Sequence, residues 1–300
     1  MDIFSIRCIT TMLCDYFRLT ALFIITGLCQ AVVAAPAPGY AGLMATYHDI
    51  QPQLSINAFS APLYLQSSIG DNLAQGHIYA VLDHPYSSVA EQLSISERWC
   101  DITLMHINVK ACNASGTDGS LLNLYVGRKY YQHPDNAYHI QYHYEVNNRA
   151  SNYLDLQLQA NKGPLGTRDY LIKVELIPVT DDTSFIHFSY SYQYGLAARM
   201  AMKAYLATLG RAKVGFGVHG YNTLGDPIYV SGMQGALERN TMRYFIAIRA
   251  HMDALSGGYD QRLQRWFDLS TRYERQLFEM GRDEYISIKQ REYINHLALN

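Results

Sequence analysis

The sequence predicts an α+β fold in which an antiparallel β-meander runs into a long C-terminal helix. Three observations carry this. Six successive segments between Leu104 and Tyr194 alternate apolar and polar residues and are joined by turn-forming residues. The stretch Gly235 to Leu255 keeps Leu237, Thr241, Tyr244, Ile248 and Met252 on one helical stripe. Between them, Ser184 to Gly210 changes period at Gly195. Its first half is a strand with Ile186, Phe188, Tyr190, Tyr192 and Tyr194 on one face, and its second a helix with Arg199 and Lys203 one turn apart.

The chain opens on an apolar run, Leu19 to Leu28, preceded by Arg7 and Arg18 and followed by small residues. That is the layout of a secretory signal, so residues 1–34 are expected to be removed after Ala34, giving a periplasmic or secreted protein. A membrane anchor through residues 16–35 is the alternative, and lipid attachment at Cys29 is disfavoured by the bulky Leu28 before it. Residues 35–61, rich in Pro, Gly and Ala and without a period, read as a linker. A hairpin follows, Leu63 to Ile69 and Gly76 to Leu82, with Gly70, Asp71 and Asn72 at its turn. Two short helices are expected over Ser87–Ile95 and Ser94–Trp99.

The meander strands are Leu104–Ala111, Leu121–Tyr131, Ala137–Asn147, Tyr153–Ala160, Tyr170–Pro178 and Phe185–Tyr194. Leu154, Leu156 and Leu158 set against Asp155, Gln157 and Gln159 predict one dry and one wet face. After the helix from Leu196, Lys213–Val218 and Ile228–Val230 flank a turn and read as a hairpin, so residues 196–230 form an insertion ahead of the long helix. Amphipathic helices over Asp260–Met280 and Arg282–Leu297 make residues 256–300 a C-terminal helical extension.

Twenty-four basic and 26 acidic residues give a net charge of −2, which provides no bulk attraction to nucleic acid. Cys8, Cys14 and Cys29 lie in the signal, leaving Cys100 and Cys112 as an even pair in an exported chain. A disulfide is the expectation, with two buried thiols as the alternative.

Gly215, Gly217 and Gly220 spell GxGxxG but precede a turn containing Pro227, with no βαβ unit around them, so dinucleotide binding is not expected. Walker, HExxH, GxSxG and paired CxxC sequences are absent, and no cofactor is expected. His139, His143 and His187 fall on meander strands without the convergence that a metal requires. The tyrosines, Tyr142, Tyr190, Tyr192 and Tyr194 among them, offer apolar rings with hydroxyl tips suited to lining a cavity. Arg239 and Arg243, one turn apart beside Glu238 on the long helix, suit a carboxylate or phosphate head group, and Arg199 suits the rim. Arg168 beside Asp169 is either a surface pair or an orienting pair at a cavity mouth.

The segment GHIYAVLDHPYSSVAEQLSISERWCD, Gly76–Asp101, resembles the opening strand and paired helices of the START-like helix-grip superfamily, which includes lipid-transfer domains and aromatic polyketide cyclases. GALERNTMRYFIAIRAHMDAL, Gly235–Leu255, resembles its gripping helix, so the resemblance spans roughly residues 62–255 and extends to exported bacterial proteins of unassigned role. It implies a curved sheet wrapped around the long helix, enclosing an apolar chamber for a hydrophobic or lipid-like ligand. Three roles follow from it. The first is a carrier that holds its ligand without covalent chemistry. The second is a cyclase- or hydrolase-type enzyme using Arg168, Asp169 or a chamber histidine. The third is an envelope scaffold that meets a partner protein or the membrane periphery through its C-terminal helices. The sequence does not set the oligomeric state.

Overall fold

The computed structural model describes residues 39–116, 119–208 and 210–299. The signal-peptide expectation, with Cys8, Cys14 and Cys29, lies outside them.

Two helices come first, α1 (Tyr40–Asp49) and α2 (Gln51–Ser55). Then follow β1 (Leu63–Ile69), β2 (Leu73–Leu82), α3 (Tyr86–Leu93) and α4 (Ser96–Leu104). The meander is β3 (Val109–Ser115), β4 (Leu121–Val126), β5 (Tyr138–Arg149), β6 (Leu154–Lys162), β7 (Arg168–Pro178) and β8 (Ser184–Gln193). Helix α5 (Leu196–Ala207) and the hairpin β9 (Val218–Tyr221) and β10 (Pro227–Tyr229) precede α6 (Gly232–Asp253). The chain continues through α7 (Tyr259–Thr271), α8 (Glu274–Leu277) and α9 (Arg282–Leu297).

Strands β1 to β8 form one antiparallel sheet in the order β1-β2-β8-β7-β6-β5-β4-β3, open at β1 and β3. Helices α3 and α4 connect β2 to β3 at the far edge. Register shifts in β3, β5 and β7 add local bend, as bulges do, and the sheet curves.

Period-2 patterning decides which face is inside. Ile78, Leu156, Val174 and Phe188 are buried on one face, and α6 lies against them through Leu237, Thr241 and Ile248. A Cβ on Gly76 of β2 would come within 2.3 Å of Thr241 Oγ1, so only glycine admits the helix this close. Helix α6 is buried on its second side as well, where Leu263, Trp266 and Leu269 of α7 belong to the same core. A 22-residue helix about 33 Å long is thereby enclosed almost completely.

Three expectations need correction. The described part of the expected 35–61 linker, residues 39–61, is not featureless: α1 and α2 carry Leu43 and Leu54 onto the outer face of the sheet, against Tyr153, Ile177 and Phe185. The adjacent buried pairs Leu176–Ile177 and Phe185–Ile186 show the sheet covered on both sides at that end. The strand expected from Leu104 begins at Val109, because Trp99, Ile102 and Thr103 recur at helical spacing and extend α4. The helix expected over Asp260–Met280 breaks at Tyr273, which leaves helical φ/ψ and packs its ring against Phe59 and Phe216.

Cys100 of α4 and Cys112 of β3 form a disulfide, with Cα atoms 5.2 Å apart. Beside it α9 packs on β3 through a fully buried cluster. Lys110 and Lys289 each donate to a different oxygen of Glu292 at 2.7 Å, and their remaining protons go to backbone carbonyls, Ile107 and Tyr130 for Lys110, His106 and Val109 for Lys289.

Candidate ligand-binding cavity

The inner face of β7 and β8 does not meet α6 along its whole length. Near the first turns of α6 the two separate, leaving a cavity of about 390 Å³ covered by α5 and the turn at Pro164–Gly166. That volume falls at the low end of the range for small-molecule sites.

Each wall follows from a periodicity. Strand β8 supplies Tyr190, Tyr192 and Tyr194, and β7 supplies Tyr170, all on the inner face; the rings of Tyr170 and Tyr192 stack with centroids 5.3 Å apart. Helix α5 contributes Ala198, Ala201, Met202 and Tyr205, an i, i+3, i+4, i+7 stripe. Helix α6 contributes Met233, Ala236, Leu237, Arg239, Asn240 and Arg243. Burial, reinforced by the neighbouring rings, pushes the Tyr190 hydroxyl well above its ordinary range, so it stays protonated.

The polar end is cationic. Arg243 Nη2 donates to Glu279 Oε1 at 2.8 Å, and the same carboxylate meets Lys129 at 2.6 Å and Lys213 at 3.2 Å. Burial lowers Lys129 to about 8, against the raising effect of Glu279. Arg239, 2 % exposed, donates Nη1 to the Val214 carbonyl at 3.0 Å. No carboxylate pairs with it among the described residues.

Of the expected ligand residues, Tyr190, Tyr192, Tyr194, Arg239 and Arg243 come together on this cavity. Tyr142 and Arg199 do not. Tyr142 is buried behind the wall, edge-on to Tyr170 at 6.4 Å. Arg199 lies one position round α5 from the cavity stripe, over the Tyr194 ring at 5.7 Å, and donates to the Asp71 carbonyl. Arg168 and Asp169 stand at the exposed start of β7, paired at 3.4 Å, with Arg168 donating to Gln193; neither lines the cavity. Their side chains fall on the outer surface because β7 is irregular there, with a register shift and a positive φ at Asp169.

The strand histidines His139, His143 and His187 also face outward. His139 bonds Asn123 at 2.9 Å, and His187 bonds Glu175 and His77. No group of three or more His, Cys, Asp or Glu suited to a metal occurs among the described residues. Glu238 turns away from Arg239: its Oε2 accepts the N–H groups of Phe216 and Gly217 at 2.5 and 2.8 Å. Two of the GxGxxG glycines serve this contact, since a Cβ would come within 2.4 Å of Glu238 Oε2 on Gly215 and within 2.9 Å of its Oε1 on Gly217.

Sequence reasoning missed Asn108, Lys129, Tyr170, Met202, Tyr205 and Asn240 as lining residues. Parity with Ile172 and Val174 on β7 pointed to Tyr170. Nothing local marked Lys129, which arrives from the loop after β4.

No family model matches the chain, and no curated protein matches it. Solved structures resemble part of it. Norcoclaurine synthase from Thalictrum flavum, in complex with dopamine and hydroxybenzaldehyde, is 12 % identical, with 48 % of this chain and 87 % of that one covered at a TM-score of 0.34. An aromatase/cyclase from Streptomyces sp. R1128 is 7 % identical, covering 42 % and 72 % at 0.32. A START superfamily protein from Mycobacterium smegmatis is 12 % identical, covering 46 % and 89 % at 0.32. The element order of this chain, a β1–β2 hairpin, helices α3 and α4, six antiparallel strands and an enclosed α6, is the α+β arrangement of an open antiparallel sheet packed on a long helix.

Proposed function

We propose that this protein binds or carries a hydrophobic or amphipathic small molecule in the cavity between β7, β8, α5 and α6, without covalent chemistry. The observation that carries the reading is the composition of the wall. Tyrosine rings, methionines, alanines and two leucines make most of it, and no carboxylate or imidazole lines it. General acid–base catalysis needs a group that exchanges a proton near neutral pH at hydrogen-bond distance from the substrate. Tyr190 and Arg243 each hold their proton there; Lys129, lowered to about 8, is the one wall group that titrates near neutral pH, and its ammonium is held by Glu279 at 2.6 Å.

A volume of about 390 Å³ suits a single-chain or aromatic molecule. Helix α5 is the natural gate: it crosses the cavity with only small side chains and Met202 and Tyr205 turned inward. Export to the periplasm or beyond remains part of the proposal, supported by the apolar run at Leu19–Leu28 and by the Cys100–Cys112 disulfide.

Titration with the neutral dye Nile red tests this. One saturable site per chain is expected, lost on Ala201→Trp, which fills the cavity from α5. Absence of saturable binding, or equal binding by the variant, would overturn it.

A further inference from the structure

Two hydrogen bonds fix the polarity of the cavity's inner end. The Asn108 N–H donates to His106 Nδ1 at 3.2 Å, which makes Nδ1 the acceptor and places the ring proton on Nε2. His106 Nε2 is 3.0 Å from Asn240 Oδ1, so the imidazole donates and the amide oxygen accepts. The tautomer is held there by burial and by stacking on Tyr244, with centroids 4.4 Å apart. Asn240 is thereby oriented with its oxygen toward His106 and with no acceptor for its Nδ2 protons among the described residues, and it lines the cavity.

The two arginines, one turn apart on α6, line the cavity together with Asn240. Arg239 and Arg243 are 2 % and 4 % exposed, and the Nε–H of each has no partner. The positive charge of Arg239 is paired with no carboxylate among the described residues, while Glu279 is shared by Arg243, Lys129 and Lys213. Buried unpaired cations and buried unmade donors are both unfavourable. The one amide that opposes the pattern is Asn108, which donates Nδ2 to the Gly127 carbonyl at 2.7 Å and so keeps its oxygen as an acceptor.

We infer that the cavity selects ligands carrying a compact oxyanion, such as a carboxylate, seated against Arg239, Asn240 and Arg243, with the apolar body along the tyrosines of β8. This rests on the cavity being the binding site, as proposed above. His106 is then a positioning residue: it touches no ligand, and it decides which end of the Asn240 amide the ligand meets. An alcohol of the same length would leave the Arg239 charge unpaired, and an ammonium would meet like charge.

The test displaces Nile red from the full chain with three probes of one chain length: decanoate, decanol and decylammonium. Decanoate is expected to compete at least tenfold better than decanol, and decylammonium worst. Asn240→Asp, nearly isosteric and accepting the same proton from His106, places a carboxylate where the head group sits. It is expected to lower the decanoate-to-decanol ratio to about one or below. Arg239→Gln, an independent variant should Asn240→Asp fail to fold, is expected to lower the same ratio at least fivefold.

Equal competition by decanoate and decanol would overturn the anion inference while leaving the cavity reading intact. A decanoate preference unchanged in both variants would overturn the assignment to this end of the cavity. Failure of Nile red and of all three probes to bind would overturn the cavity reading itself.

Discussion

Glu175 and His187 are directly paired across β7 and β8, on the face of the sheet opposite the cavity, with Oε2 and Nδ1 3.0 Å apart. His187 continues to His77 at 3.1 Å, and Tyr153 donates to the other Glu175 oxygen at 2.7 Å. Burial raises the Glu175 carboxyl, but the hydrogen bonds from His187 and Tyr153 and the charge of Lys173 outweigh it and hold the group at about 2. Burial, then the charge on His187, lowers His77 to about 4.

Both folded values lie below their ordinary ones, so the unfolded chain binds more protons in acid and stability falls with pH. The His77 contribution is complete above 6.5 and is lost as pH falls from there through about 4; that of Glu175 is lost from 4.5 through about 2. Urea unfolding across that range should show a two-part acid limb. Glu175→Gln should flatten the lower part, removing on the order of 3 kcal/mol of pH-dependent stability. An unaltered lower limb would contradict the arrangement.

The cluster of Lys110, Glu292 and Lys289 is fully buried and joins the last helix to the sheet edge. Glu292→Gln removes the carboxylate and leaves two lysines facing an amide. A loss of about 3 to 5 kcal/mol is expected in denaturant unfolding, because breaking a buried pair from one side leaves uncompensated charge. A change under about 1 kcal/mol would show that α9 does not depend on it.

Gly76 is where sheet and helix approach most closely. Gly76→Ala puts a methyl group against Thr241, whose Cβ and Cγ2 also lie 3.2 Å from it, so turning the side chain does not clear the contact. Overpacking of this kind costs about 1 to 3 kcal/mol. The double variant Gly76→Ala with Thr241→Ala should recover part of the loss, and a purely additive cycle would argue against the contact.

The disulfide ties α4 to β3 across a sequence separation of 12. Reduction with dithiothreitol should lower stability by about 2 to 3 kcal/mol, the magnitude for a short closed loop. Unchanged melting on reduction would be inconsistent with that.

The sequence showed the meander and α6 because their signals are local. Leu154, Leu156 and Leu158 declare a face by alternation, and Arg239 and Arg243 declare one by spacing. The same period put Tyr190, Tyr192 and Tyr194 on a common wall. What stayed hidden depends on contacts distant in sequence. Lys289 and Glu292, at i and i+3, read as an ordinary surface pair until Lys110 and the backbone of β3 surround them. Helices α1 and α2 were concealed because Leu43 and Leu54 make sense only against Ile177 and Phe185. Asn240 was unreadable for a similar reason: its role depends on His106, 134 residues away.

The central claim is that a small molecule occupies the cavity under α5. Native mass spectrometry of the full chain, gently purified from the cells that produce it, tests this most directly. The account predicts a non-covalent adduct of one small molecule per chain, released on denaturation and absent from Ala201→Trp. A wild-type chain that carries no adduct, and acquires none when offered apolar acids, would contradict it, as would an adduct retained equally by the variant.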